Sequence, residues 1–214
     1  MKYELLNNNK VFLNGVVVEK PVFSHETYGE GFYEVKLSVP RLSEHTDILP
    51  VTVSEKFLKD FALGQEVALK GQFRSFNKLM GEKSKLVLNV FAREIIEKNS
   101  SMNPNIIEIT GYLCKPPIFR TTPFNREICD ILVAVNRAYN KSDYLPCIAW
   151  GRNARYIKDA PVGKKLEIVG RIQSREYQKK LDSGEIVTKT AYEISVGRIN
   201  IANDEISNII ESWL

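Results

Sequence analysis

TGYLCKPPIF, residues 110–119, repeats in outline a stretch that the chain has already used, NGVVVEKPVF at 14–23. Gly15 and Gly111 lie 96 positions apart, and the same offset relates LSVPR (37–41) to VAVNR (133–137) and DILP (47–50) to DYLP (143–146). Further on, LGQEVALKGQFRS (63–75) matches VGKKLEIVGRIQS (162–174) at an offset of 99. Two copies of one domain follow, with a few residues gained in the second. Self-similarity at this spacing, with only two copies, is a tandem domain and no solenoid.

The repeat sets the expected boundaries: a first domain over 1–98, a linker over 99–104, a second domain over 105–202 and a tail over 203–214. The linker, NSSMNP, is polar and ends in Pro104, as connecting segments commonly do. Within the second copy, apolar and polar residues alternate over roughly 105–115, 127–136, 144–150, 164–177 and 186–197, the period of strands that bury one face. RNARYIKDA (152–160) lacks that alternation and reads as a short helix between the third and fourth strands. SEKFLKDFA (54–62) holds the same place in the first copy. The expected fold is therefore all-β: two tandem OB-folds, each a five-stranded Greek-key barrel with a short helix between strands three and four.

The third strand of the second copy, DYLPCIAW, is unusual. Leu145, Cys147 and Ala149 share one side and suit a core, whereas Tyr144, Pro146, Ile148 and Trp150 share the other. A half-buried strand ordinarily carries polar groups there. The fourth strand, KKLEIVGRIQSREY (164–177), repeats the design with Leu166, Ile168, Gly170 and Ile172 inward and Lys165, Arg171, Arg175 and Tyr177 outward. Aromatic rings interleaved with cations suit single-stranded nucleic acid, which offers a π-face at every base and a charge at every phosphate. Residues 101–202 hold 16 Lys/Arg against 10 Asp/Glu, and residues 1–100 hold 14 against 13. The basic surplus sits on the copy with the aromatic face. The first copy has Ile48 and Ser54 where the second has Tyr144 and Trp150. It keeps Arg74, Phe76 and Lys78 on its fourth strand and is expected to contribute less.

AVNRAYN (134–140), SDYLPCIAWGRNARYI (142–157) and VGKKLEIVGRIQSREYQKKLDSGE (162–185) resemble the OB domain of bacterial single-stranded DNA-binding proteins, over most of 105–202. The resemblance implies that Tyr139, Tyr144, Trp150 and Tyr177 occupy base-stacking positions. It places the flanking Arg137, Arg152, Arg171 and Arg175 along the phosphates, and it has the loop at 178–184 wrap the strand. It also implies four OB domains per assembly, here a homodimer, and service in DNA replication, recombination or repair, in the cytoplasm at the nucleoid. The tail departs from the family pattern: Ile206, Ile209, Ile210 and Trp213 fall at amphipathic-helix spacing. That helix either docks on its own protein or, through Glu211, Trp213 and Leu214, recruits replication and repair proteins.

Other chemistry finds little support. No phosphate-binding glycine loop occurs, and the two histidines, His25 and His45, lack partners for a nucleophile or a zinc ion. No enzyme activity and no cofactor are expected. No apolar run approaches the roughly 20 residues of a membrane span, and MKYELLNNNK has no signal-peptide core. The three cysteines are expected to be reduced and packed in cores. Two competing readings stay open at this level. One is a protein-interaction module of primosome type using the same aromatic face. The other is an RNA-binding OB protein, since stacking does not separate RNA from DNA.

Overall fold

The computed structural model describes residues 7–81, 83–98, 103–180 and 184–202. The first half holds strands β1 (Asn9–Val17), β2 (Val22–Thr27), β3 (Glu30–Pro40) and β4 (Thr46–Ser54), then a 3-10 helix (Glu55–Asp60), then β5 (Glu66–Met80) and β6 (Lys83–Ile96). The second half repeats them as β7 (Asn105–Leu113), β8 (Ile118–Thr121), β9 (Glu127–Asn136), β10 (Ser142–Trp150), helix α1 (Arg152–Ile157), β11 (Lys165–Lys180) and β12 (Ile186–Ile201).

In each half the first strand pairs with both the second long strand and the fourth, and the third runs parallel to the last. That closure is the OB topology. Alternation drives it: β7 reads NIIEITGYL, with every second side chain buried from Asn105 to Leu113. Leu13, Leu37, Leu49, Leu69 and Phe73 fill one core, and Ile107, Leu113, Leu145, Leu166 and Ile172 fill the other. Cys129 and Cys147 are buried within the second, and all three cysteines are free thiols. Burial pushes the Cys129 thiol up to about 11.

The glycines that open the repeat have a packing reason. A Cβ on Gly15 would lie 2.7 Å from the Ser38 carbonyl oxygen, and one on Gly111 would lie 2.5 Å from that of Ala134. Each marks the point where the first strand turns across the second to close a barrel, and any side chain would hold the backbones apart.

Three differences from the expected layout appear. Short strands β2 and β8 add a flap to each barrel, folded back on β3 and β9. Both are exposed along their whole length, so their side chains carry no clear alternation. The helix after β4 is a 3-10 turn, begun by the Ser54 hydroxyl accepting from the Lys56 N–H. The fourth strand continues through residues 178–180, so the predicted wrapping loop starts later, and its residues 181–183 lie outside the described residues. Residues 99–102 of the predicted linker and the tail helix over 203–214 also lie outside them.

β1 and β7 pair antiparallel from Asn9↔Ile109 to Leu13↔Asn105, so one twelve-stranded sheet runs through both barrels, with β2 and β8 at its two ends. The long hairpins then cross reciprocally. β11 of the second barrel touches β4 of the first, and β5 of the first touches β10 of the second.

Candidate nucleic-acid interface

The outward face of the second barrel is built by register. Tyr144 on β10 stands opposite Ala134 on β9, which stands opposite Tyr112 on β7. Residues paired across strands share a face, so two tyrosines flank a methyl group on an open shelf. Tyr112 is 43% exposed, Tyr144 47%, Trp150 37% and Tyr177 37%. These four are among the large aromatic side chains that the second barrel leaves open.

Tyr139 sits at the tip of the β9–β10 turn, which the Arg137 N–H closes by donating to the Lys141 carbonyl. Tyr139 and Asn140 both have positive φ, 61° and 53°, a conformation uncommon outside glycine, and the Tyr139 ring projects into solvent. At the other end of β10, Trp150 stands opposite Ile128, which is buried while Trp150 is partly open. Arg152 is exposed on the first turn of α1, two residues on. Ile148, expected outward, is buried at 5%. It pairs with Ser195 of the parallel strand β12, so that β12 lies beside it and closes the barrel there.

The cations divide into two groups. Arg175 and Tyr177 lie on the exposed arm of β11; the Arg175 guanidinium is 5.9 Å from the Tyr177 ring centre and 3.6 Å from the Glu193 carboxylate. Arg171, Arg137 and Arg74 are drawn instead into the seam between the barrels. Arg171 lies 3.7 Å from Asp47 and Arg137 lies 3.4 Å from Asp143, both carboxylates fully buried. Burial, and then the neighbouring Arg41, push Arg171 below its usual range. The sequence reading put Arg171 on an outward face, but an outward face can be another barrel's neighbour. On the first barrel, Phe76 and Lys78 are exposed on the arm of β5.

Tyr112 was legible in principle, because Gly111 and Leu113 face inward and the residue between them must face out. The first copy also holds an aromatic group that its weak match in β4 conceals. His25, Phe32 and Phe91 gather on its outward face, with Arg74 and Arg93 over Phe91. Phe32 and Phe91 sit on the same parity as neighbouring outward residues, the one signal that could have revealed them. Among the described residues no group of three or more His, Cys, Asp or Glu gathers to hold a metal ion.

Residues 104–202 match the model of the Single-strand binding protein family. The chain is 30% identical over 92 residues to Single-stranded DNA-binding protein 1 of Lactococcus lactis subsp. lactis, covering 40% of this chain and 61% of the relative. It therefore spans about three fifths of that relative's length. Single-stranded DNA-binding protein 1 of Streptococcus pyogenes is 28% identical over 109 residues, covering 46% of this chain and 84% of the relative. The crystal structure of the single-stranded DNA binding protein from Thermus aquaticus superposes with a TM-score of 0.73 at 17% identity, covering 92% of this chain and 93% of that one. That likeness shows the two-barrel fold, and the family match falls on the barrel that bears the open rings. Over residues 104–202, the second barrel, the chain is thus similar to the single-strand binding protein family.

Proposed function

We propose that this chain binds single-stranded DNA without sequence preference, and does so by stacking bases on the second barrel. The Tyr112–Ala134–Tyr144 shelf carries the reading, with Trp150 farther along the same strand and Tyr177 on the arm. Stacking of this kind is worth about 1–3 kcal/mol per base and tolerates any sequence, since every base has a π-face. Tyr139 at the hairpin tip extends the aromatic track. Arg152 and Arg175, with Lys179 and Lys180 on the exposed arm, neutralise phosphates. Arg137 and Arg171 act mainly by holding the seam, and this revises their assignment as phosphate contacts.

The biological setting is replication, recombination or repair. A homodimer would bring four barrels together, and the tail, with Glu211, Trp213 and Leu214, would recruit partner proteins. No chemistry is catalysed and no cofactor is used.

The deciding experiment is a titration with oligothymidine, following tryptophan fluorescence across a salt series. Quenching that depends on Trp150, together with affinity that falls as salt rises, supports the reading. A matched RNA strand binding more tightly, or no binding of either strand, overturns it.

A further inference from the structure

Each barrel places one large aromatic in the row that joins its second and third long strands, but from opposite strands. In the second barrel the pair is Ile128 opposite Trp150, and in the first it is Phe32 opposite Ser54. The first copy has thus not lost the ring. It has moved the ring one strand over. Ser54 is buried, and its hydroxyl donates to the Glu30 carboxylate.

Around Phe32 the outward face is continuous. The His25 ring from β2 stacks on it at 5.1 Å and an interplanar angle of 16°. Phe91 from β6 lies 5.6 Å away. Two guanidiniums cover Phe91: Arg93 at 5.0 Å and Arg74 at 5.3 Å from the ring centre. Both also donate to the same Gln72 side-chain oxygen, at 3.4 Å and 2.5 Å.

The local charge is unbalanced. Arg74 sits among Arg93, Arg137 and a single carboxylate, Asp143; burial and those two like charges push it down to about 10. The Nε atoms of Arg74 and Arg137 are buried and find no hydrogen-bond acceptor among the described residues. Three cations facing one carboxylate leave room for an anion.

This cluster also adjoins the shelf on the other barrel. Ser75, next to Arg74 in the chain, accepts the Tyr144 N–H at 2.7 Å through its hydroxyl. One hydrogen bond and one step along the chain, through buried Ser75, therefore separate Tyr144 from Arg74, whose guanidinium lies over Phe91.

We propose that His25, Phe32, Phe91, Arg74 and Arg93 form a second nucleotide locus, which takes the single strand as it leaves the Tyr144 shelf. A base stacks on the exposed His25 ring, which the buried Phe32 ring backs, or against Phe91, and its phosphate settles on Arg93 and Arg74. The inference rests on the single-strand reading above and assigns a role to the first barrel, although Ser54 stands there where the second barrel has Trp150.

The test uses the full chain and two labelled thymidine oligomers. One is short enough for one barrel, about 10 nucleotides, and one spans both, about 35, given site sizes of about 4–16 nucleotides per OB-fold. Arg93→Gln and His25→Ala are exposed changes that leave the cores intact, and thermal melting confirms folding. The expected result is unchanged affinity for the short strand and a loss of about fivefold or more for the long one. The logarithmic salt slope on the long strand should fall by about 0.7 for Arg93→Gln. Wild-type affinity for the long strand in both variants overturns the second locus and leaves the second barrel's role standing. Failure of the wild-type protein to bind either strand overturns both.

Discussion

Asp47 of the first barrel accepts the backbone N–H of Ser174 in the second at 2.7 Å, and the repeat reproduces the bond in reverse, from the Ser75 N–H to Asp143 at 2.7 Å. Each serine hydroxyl completes the clasp by accepting a backbone N–H next to the aspartate, from Ile48 and from Tyr144. Arg41 closes the Asp47 side with two hydrogen bonds, at 2.8 and 2.7 Å. Two buried carboxylates thus hold the barrels at the crossings of their hairpins, and one clasp bonds directly to the backbone of the Tyr144 shelf.

Asp47→Ala should destabilise the protein by about 3–5 kcal/mol, because it leaves Arg41 and the Ser174 N–H without their buried partner. Asp47→Asn should cost less, since an amide oxygen can still accept from Ser174. Equilibrium denaturation of both variants checks the ranking.

Burial holds the Asp143 carboxyl above its ordinary value, outweighing the Ser75 N–H and the Arg137 and Arg74 charges that pull it down. A raised acid binds its proton more tightly in the folded state, so its contribution to stability is present at low pH. It is lost as pH rises from the ordinary carboxylate value of about 4 through the raised one. Asp143→Asn should flatten that part of the stability–pH curve. A curve of unchanged slope would show that this carboxyl does not titrate differently on folding.

Gly111→Ala should cost about 1–3 kcal/mol, the usual penalty of forcing extra atoms into a packed site, as the new methyl would meet the Ala134 carbonyl. Gly15→Ala should do the same for the first barrel against Ser38. Melting temperatures of the two variants measure both closures separately.

Tyr112→Ala should weaken single-strand binding as much as Tyr144→Ala does, about 5- to 150-fold for the loss of about 1–3 kcal/mol of stacking. Anisotropy titration at one fixed salt concentration measures the change. A Tyr112 variant with wild-type affinity would remove β7 from the binding face.

The two groups of arginines should separate in paired measurements. Arg152→Gln should lower the logarithmic salt slope of binding by about 0.7 with little change in stability. Arg171→Gln should lower stability, through its loss beside buried Asp47, with little change in slope.

Much of this protein was readable before any coordinates. The repeat, the OB topology and the inward parity of Leu145, Leu166 and Ile172 follow from alternation, because a strand with one buried face must declare it every second residue. The same rule put Tyr144, Trp150 and Tyr177 outside the barrel, and the motifs around them carried the family resemblance. What alternation does not carry is the identity of whatever lies beyond an outward face. Arg171 and Tyr177 share a parity on β11, yet one turns to a buried aspartate 124 positions earlier in the chain and the other faces solvent. Likewise, Phe32 and Trp150 come to equivalent rows only when strands from separate parts of the chain are laid in register. Sidedness is a local property of the backbone and is written along each strand. Which outward side chains meet water, a second barrel or one another depends on long-range pairing, and only the folded chain decides it.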